Sequence, residues 1–286
     1  MQGVYQAILD RMEEGVCVVD AGGRITLWNA AAEQITGYRG SDVLGRAAME
    51  VLPDGASDDT AAADRQVYLH HKHGHQLPVI LRRTALLDER GADTGCLIFL
   101  SAVPGARPAH GGLQLAEGDR DPLTELANRR CVQRHIEPLV AAESNPLGVL
   151  FIDVDGFKAV NDRLGHSMGD RVLRMVARTV ANGLRQSDWA VRWGGEEFVA
   201  VVHAARAEEL AEVAERLRTL ISSSWVEAAG TRISVTVSIG ATMVEPGQSL
   251  ESAIDRADHL MYESKRAGRN RVTSARPGIV VDLTTS

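Results

Sequence analysis

The stretch RWGGEEF, residues 192 to 198, constrains this chain more than any other. Two apolar runs, DWAVRW before it and FVAVV after it, flank a Gly-Gly pair and two carboxylates. Gly-Gly between strand-like runs signals a hairpin, because a tight primed turn needs positive φ at both central residues. The spacing predicts two antiparallel strands with Gly194 and Gly195 in the turn and Glu196 and Glu197 opening the return strand. Successive strand side chains face opposite ways, so one carboxylate points into a site while its neighbour points to another ligand. Surface hairpins also carry Glu for solubility, and the rest of the chain decides between the two.

A length of 286 residues suggests about two domains, and an apolar fraction of 44% lets both bury a core. The formal net charge of −7 argues against a nucleic-acid coat or an anionic-membrane binder. It leaves room for a nucleotide substrate, which needs only local positive groups and a metal. Cys17, Cys96 and Cys131 are scattered and form no CxxC, so neither a disulfide framework nor a zinc site is expected. No run approaches about 18 consecutive apolar residues, and the N-terminus lacks a basic segment followed by an apolar one. The expectation is a cytoplasmic chain without membrane insertion.

In the first hundred residues, GVCVVD and RITLWN are strand candidates joined by an Ala-Gly-Gly turn. AAAEQITGY follows as a short helix stopped by Gly37, and RQVYLHHKHG, HQLPVILRRTALLD and TGCLIFLSAV read as three more strands. Two strands, short helices and three strands make an α+β unit on an antiparallel sheet. With VVDAGGRITLWNAAAEQITGYRGSDVLGR and the hairpin around HKHGHQLPV, this part resembles a PAS domain over about residues 5 to 103. The resemblance implies a sensory or dimerisation module of unknown ligand; GRAAMEVL lacks the cysteine of a photoreactive flavin PAS. His70, His71, His73 and His75 surround a predicted hairpin tip at Gly74 and read as a polar turn rather than a metal site. Trp28 reads as core rather than as the wall of a flavin pocket. PGARPAHGGLQLAEGDRD, rich in Pro, Gly and charge, reads as a linker without a sustained heptad. The expected division is 1–103, a linker 104–120, a second domain 121–274 and a tail 275–286.

The second domain opens with DPLTELANRR, where Pro122 stands near a predicted helix start and Leu123 and Leu126 begin an apolar stripe. LGVLFIDVD is an apolar run suited to a buried strand and ends in Asp153 and Asp155, paired acids that point either to water or to a cation. Val172, Met175, Val176, Thr179, Val180 and Leu184 share one helix face, and Leu210, Val213, Leu217 and Leu220 share another. TRISVTVSIGA alternates as a half-buried strand should. SLESAIDRADHLMYESKRAGRN is a final amphipathic helix with Lys265 and Arg269 at i,i+4 near its end. Strands and helices alternating around a central hairpin make an α/β domain, a central sheet flanked by helices.

DPLTELANRR, FIDVDGFKAVNDRLGHSMGD, RWGGEEF, VSIGA and ADHLMYESKRAGRN together closely resemble the GGDEF-domain diguanylate cyclases over about residues 119 to 273. Glu125 stands where Gly is usual in that family. The resemblance implies condensation of two GTP into cyclic di-GMP and two pyrophosphates, with two Mg²⁺ or Mn²⁺ ions per site, at the interface of a homodimer. It implies Asp153 and Glu197 as metal carboxylates, joined by the Val154 carbonyl and by Glu196. Glu196 is also the candidate for helping to deprotonate the 3′-hydroxyl, a metal-bound hydroxide being the alternative base. Gly194 and Gly195 form the catalytic turn. Asn161 and Asp170 match the guanine readers, and a carboxylate opposite the N1–H and N2–H₂ donors rejects adenine. Lys265 and Arg269 match the β- and γ-phosphate contacts. Backbone N–H groups around Gly156, Phe157 and Lys158 add a phosphate cradle at a helix start. His166 belongs to the same substrate pattern in a structural rather than catalytic part. Arg185 and Asp188 match the family's RxxD product-inhibition site, with Arg216 on the following helix as a second arginine contact.

Two other readings compete. A non-catalytic cyclic di-GMP receptor would keep RxxD and lose turnover, against which stand the intact Glu196, Glu197, Asp153, Lys265 and Arg269. A nucleotidyl transferase for another base would not need Asn161 and Asp170.

Overall fold

A computed structural model describes residues 8, 9, 11–52, 64–88, 90–103, 115–142, 145–228 and 230–275. Residues 104–114 of the expected linker and the tail beyond residue 275 lie outside the described residues. The chain divides into two compact units, one N-terminal and one C-terminal.

The N-terminal unit holds β1 (Gly15–Asp20), β2 (Ile25–Trp28), α1 (Ala30–Thr36), α2 (Gly40–Val43), β3 (Arg65–His70), β4 (Gln76–Leu87) and β5 (Asp93–Ala102). They form an antiparallel sheet in the order β2-β1-β5-β4-β3. Asn29 fixes the turn from β2 into α1. Its Oδ1 accepts from Ala32 N at 2.9 Å, capping the helix, and from Val16 N at 2.8 Å, while Nδ2 donates to the Glu14 carbonyl. Gly37, at φ 75°, ends α1 as the sequence predicts. Trp28 is 6% exposed in the core among Cys17, Ile25, Ile98 and Leu100, with its Nε1 donating to the Tyr38 carbonyl. Burial, and then the neighbouring Cys96, pushes the Cys17 thiol up to about 12, so it is inert as a nucleophile.

The histidine cluster differs from a solvated turn. His71 stacks on His75 at 4.5 Å between centroids and fills the space over Gly37, and His75 is only 7% exposed. The rings are packing groups of the hairpin tip. Among the described residues no group of three His, Cys, Asp or Glu side chains stands at metal-ligand spacing.

The C-terminal unit contains β6 (Ala127–Asn128), α3 (Arg129–Cys131) continuing through a π-helical segment Val132–Ile136 into α4 (Glu137–Ala142), β7 (Leu147–Val154), α5 (Phe157–Leu164) and α6 (His166–Gly183). There follow β8 (Trp189–Gly194), β9 (Glu197–His203), α7 (Ala207–Ser223), β10 (Val226–Ala228), β11 (Thr231–Ile233), β12 (Val237–Met243), α8 (Leu250–Arg266) and β13 (Val272–Ser274). Six strands make one sheet in the order β13-β12-β7-β9-β8-β6. β7 is buried along its whole length because helices cover both faces. Leu150, Ile152 and Val154 pack with α6 and α7, while Leu147, Val149 and Phe151 pack with α8. Burying one such side chain contributes roughly 1.5–3 kcal/mol. The strand end that carries Asp153 is therefore held rigidly from both sides.

Three expectations change. DPLTEL is no helix start: Asp121 Oδ1 accepts from Thr124 N at 2.8 Å and Thr124 Oγ1 at 2.7 Å, closing a turn before β6, and the helix begins at Arg129 with Asn128 as its cap. TRISVTVSIGA is not one half-buried strand. It breaks into β11 and β12 because Asp155 draws in Thr236, and β12 is buried on both faces. Lys265 and Arg269 do not share a helix, since α8 ends at Arg266 and Arg269 lies in a following turn with φ 64°.

Glu125 carries φ 64° within the Asp121–Leu126 turn, a left-handed conformation that costs an L-residue with a Cβ about 1–2 kcal/mol. Glu125→Gly is expected to stabilise the protein by up to about 1 kcal/mol, the gain being trimmed by the looser unfolded chain. Urea titration checks it, with a rise in the midpoint expected at unchanged slope.

Candidate active site

The β8–β9 hairpin forms as RWGGEEF predicts, with one difference. Gly194 pairs with Glu197, so the central residues are Gly195 and Glu196, and of the two glycines only Gly195 has positive φ, at 49°. A register shift between Arg192 and Gly194 absorbs the extra residue. No atom would lie within 4 Å of a Cβ on either glycine, which leaves the turn open to approach by a ligand.

β9 pairs with β7 so that Asp153 stands opposite Glu197. Directly opposed residues of antiparallel strands project from the same face, here the face covered by α8. From that helix Lys265 Nζ reaches Asp153 Oδ2 at 2.7 Å. Asp153 is 3% exposed. Its carboxyl is nonetheless held above the usual aspartate range, chiefly by burial, the Lys265 hydrogen bond opposing and Glu196 and Asp155 adding to the rise. Glu197 is raised as well, first by burial, then by the negative fields of Asp153 and of Asp258 on α8. Burial is the first cause of both shifts, and neighbouring acids add to it against the single Lys265 ammonium. Hard oxygen donors in such a place fit a divalent cation.

Gly240 sets the height of α8 above the sheet. A Cβ there would lie 1.9 Å from the Ala257 carbonyl oxygen and 2.4 Å from Met261 N, both backbone atoms that cannot swing aside. Gly240→Ala is expected to lift α8, costing roughly 1–3 kcal/mol of stability and displacing Lys265 from Asp153. Thermal unfolding and an activity assay on the same sample check both parts.

The acids of the DVD string separate. Asp153 faces the site, whereas Asp155 accepts from Thr236 Oγ1 and Ser238 Oγ at 2.7 Å each and from Asn270 N at 3.0 Å. Asp155 is thus a tether between β12 and the loop after α8, not a cation ligand.

Arg192, which the motif comparison passed over, braces the hairpin. Its guanidinium bonds both oxygens of Asp121 at 2.9 and 3.1 Å, and from Nε and the second terminal nitrogen bonds the Gly195 carbonyl at 3.2 and 2.8 Å. Burial works against the Asp121 carboxylate, yet hydrogen bonds from Thr124 and Arg192 hold it below the usual range. One side chain therefore ties the β8–β9 turn to the first turn of the domain. The available signal was a charged residue two positions before a Gly-Gly pair on an otherwise apolar strand. Asp258 was also missed, although it lies on the same helical stripe as Lys265, at i,i+7.

Asn161 on α5 and Asp170 on α6 are both half-buried. Gly169, next to Asp170, lets α6 lie close against Asn161: a Cβ on it would sit 2.0 Å from Asn161 Oδ1 and 3.1 Å from Phe157 Cζ. Phe157 is buried, and Lys158 and His166 are exposed at the N-terminal ends of α5 and α6. Gly156, at φ 68°, opens α5.

Arg185 and Asp188 take different parts. Asp188 is 2% exposed, and its oxygens accept from Arg185 N at 2.9 Å and His203 N at 3.1 Å, so it closes the turn between α6 and β8. Arg185 is exposed. Arg216, also exposed, donates to the Gly183 carbonyl at 2.9 Å and so stands beside the same turn. Arg185 lies near enough to Glu209 to act on its charge.

The sequence profile of the family described as "Diguanylate cyclase, GGDEF domain" matches residues 119–271, and that of the PAS fold matches residues 3–98. The chain belongs to the GGDEF-domain diguanylate cyclase family and carries an N-terminal PAS fold. Among relatives, it is 39% identical over 158 residues to Diguanylate cyclase DgcP of Pseudomonas aeruginosa, which covers 54% of this chain and 24% of that protein. It is 40% identical over 156 residues to Diguanylate cyclase DosC of Escherichia coli, covering 53% of this chain and 34% of that one. This chain thus spans a quarter to a third of the relatives' length. Among solved structures, the GGDEF domain of DgcB from Caulobacter crescentus, in complex with c-di-GMP, is similar at 33% identity and a TM-score of 0.53, over 57% of this chain and 98% of that one.

Proposed function

We propose that this protein is an active diguanylate cyclase, condensing two GTP into cyclic di-GMP and two pyrophosphates as a homodimer, braked by its product and regulated by its PAS unit. The observation that carries this is Asp153 opposite Glu197 on adjacent strands, with Lys265 Nζ 2.7 Å from Asp153. Membership of the family and the c-di-GMP complex of the DgcB domain support it.

In this reading Asn161 and Asp170 hold the guanine edge. Lys265, Arg269 and Lys158, with the backbone at Gly156, hold the triphosphate. Asp153, Glu197, Glu196 and the Val154 carbonyl are the groups that would hold two Mg²⁺ or Mn²⁺ ions, whose positive charge offsets that of the phosphates. The 3′-hydroxyl of one GTP attacks the α-phosphorus of the GTP held by a second copy of the chain. Its proton passes to Glu196, and pyrophosphate leaves. Gly194 and Gly195 let the backbone approach the reacting phosphate without a side chain in the way. His166 shapes the start of α6 beneath the guanine pocket. Arg185 and Arg216 take the product's guanine, while Asp188 holds Arg185's turn. Incubation with GTP and Mg²⁺, followed by identification of the nucleotide product, tests the proposal.

A pH dependence follows from the two raised carboxyls. A carboxyl raised by folding favours the protonated state, so its stabilising contribution is full at low pH and is lost as pH rises through its folded pKa. Once pH has risen through both raised values, both groups are charged and repel. Mg²⁺ is then expected to raise the Tm at pH 7.5, and this rise is expected to fade as pH falls through the two raised pKa values. Thermal unfolding with Mg²⁺ and with chelator across that range checks it; a metal-induced shift independent of pH contradicts the assignment.

A further inference from the structure

Arg269 lies in a turn that backbone energetics disfavours. Gly268, Arg269 and Asn270 have φ of 114°, 64° and 45° in succession. Arg269 carries its Cβ in a region that L-residues disfavour, whereas Asn270 is of a type that tolerates it. Such a run persists only where its surroundings over-determine it. Three bonds do so. Arg269 N donates to the Ser264 carbonyl at 3.0 Å, Asn270 N donates to Asp155 Oδ2 at 3.0 Å, and Asn270 Oδ1 accepts from Arg218 at 2.8 Å. The last crosses from α7, an element with no group in the nucleotide site. Arg218 is itself fixed on α7 by Glu215, which accepts from its Nε at 2.7 Å, and by Thr219 Oγ1, which accepts from Nη2 at 3.4 Å, while Nη1 reaches Asn270. Asn270 is held at its backbone by Asp155 and at its side chain by Arg218, so the Cα–Cβ direction of the residue before it is set.

We propose that Arg218 is a positioning residue for the triphosphate: through Asn270 it holds the left-handed turn that presents Arg269. The inference rests on the reading of Arg269 as a phosphate contact. It assigns to α7 a part in substrate affinity. Because Arg216 stands two residues earlier on the same helix, the product arginine and the holder of the phosphate turn ride on one rigid element.

The discriminating property is which portion of the nucleotide is affected. Arg269 would touch only the β- and γ-phosphates, so loosening it leaves recognition of guanine and the α-phosphate alone. Calorimetric titration of the full chain with Mg²⁺ and a GTP analogue carrying a non-cleavable α–β bridge, and in parallel with GMP, reads this directly. Arg218→Ala is expected to weaken the analogue about tenfold, as loss of a charge-assisted hydrogen bond would, with GMP binding unchanged. KM for GTP is expected to rise by a similar factor with kcat within about twofold, and Arg218→Lys, which keeps a cationic donor, to recover part of the loss. Equal affinity of wild type and Arg218→Ala for the analogue overturns the inference and leaves the cyclase reading intact. Parallel weakening of GMP also overturns it, since that marks general damage to the domain. A wild type that binds neither nucleotide overturns the cyclase reading and this inference with it.

Discussion

Replacing Glu197 with alanine is expected to remove turnover by a factor on the order of 10³ while leaving the fold intact or slightly firmer. The first half follows from position. Glu197 opens β9 opposite Asp153, and in the proposed reading these two carboxylates hold the ions that offset phosphate charge, an effect worth several kcal/mol in a barrier. The second half follows from electrostatics. Burial first, and then the negative fields of Asp153 and Asp258, raise the Glu197 pKa, so its charge is unwelcome in the ligand-free fold. Among the described residues it makes no ion pair that its removal would orphan. A structural residue behaves the other way, losing stability and activity together. Steady-state rates and thermal unfolding of Glu197→Ala separate the two cases, and undiminished turnover would refute the metal assignment.

Replacing Arg185 with alanine is expected to raise the product concentration for half-inhibition by about 10- to 100-fold, the cost of losing one forked guanine contact. Arg185 is exposed on the turn before β8, its backbone N fixed by the buried Asp188 and its neighbour Gly183 held by Arg216. The turn is thus rigid and the guanidinium free to meet a ligand. Because Asp188 serves as the turn's internal brace, its replacement should cost stability as well, whereas that of Arg185 should not. Progress curves that slow with accumulating product in the wild type should stay closer to linear in Arg185→Ala. An unchanged midpoint of inhibition would remove Arg185 from the product site.

Much of this was written in the sequence, and what was not has identifiable causes. The apolar face of α6, the stripe of α7 and the hairpin at RWGGEEF were legible because burial imposes a period on side chains, and the structure buries Val172, Met175, Val176, Leu210 and Leu217 accordingly. Periodicity misled where a polar side chain overrode it. Leu123 and Leu126 imitate a helix face, yet Asp121 bends that segment into a turn. Thr236 sits in an alternating run, yet its bond to Asp155 breaks the strand. Asp153 and Asp155 look equivalent in the string DVD, and only partners far along the chain, Thr236, Ser238 and Asn270, make one a tether. The part of Arg192 is equally non-local, since it depends on Asp121, 71 positions away. Residue types at a motif's spacing were readable; which oxygen meets which nitrogen was not.

The central claim is that the pair Asp153 and Glu197, with Lys265 above them, makes cyclic di-GMP from GTP. Incubating the purified full chain with GTP and Mg²⁺ and resolving the nucleotides by mass spectrometry tests it directly. Cyclic di-GMP with two equivalents of pyrophosphate is expected, and none when Mg²⁺ is chelated. Recovery of unchanged GTP, from protein that binds cyclic di-GMP, would instead establish a receptor without turnover.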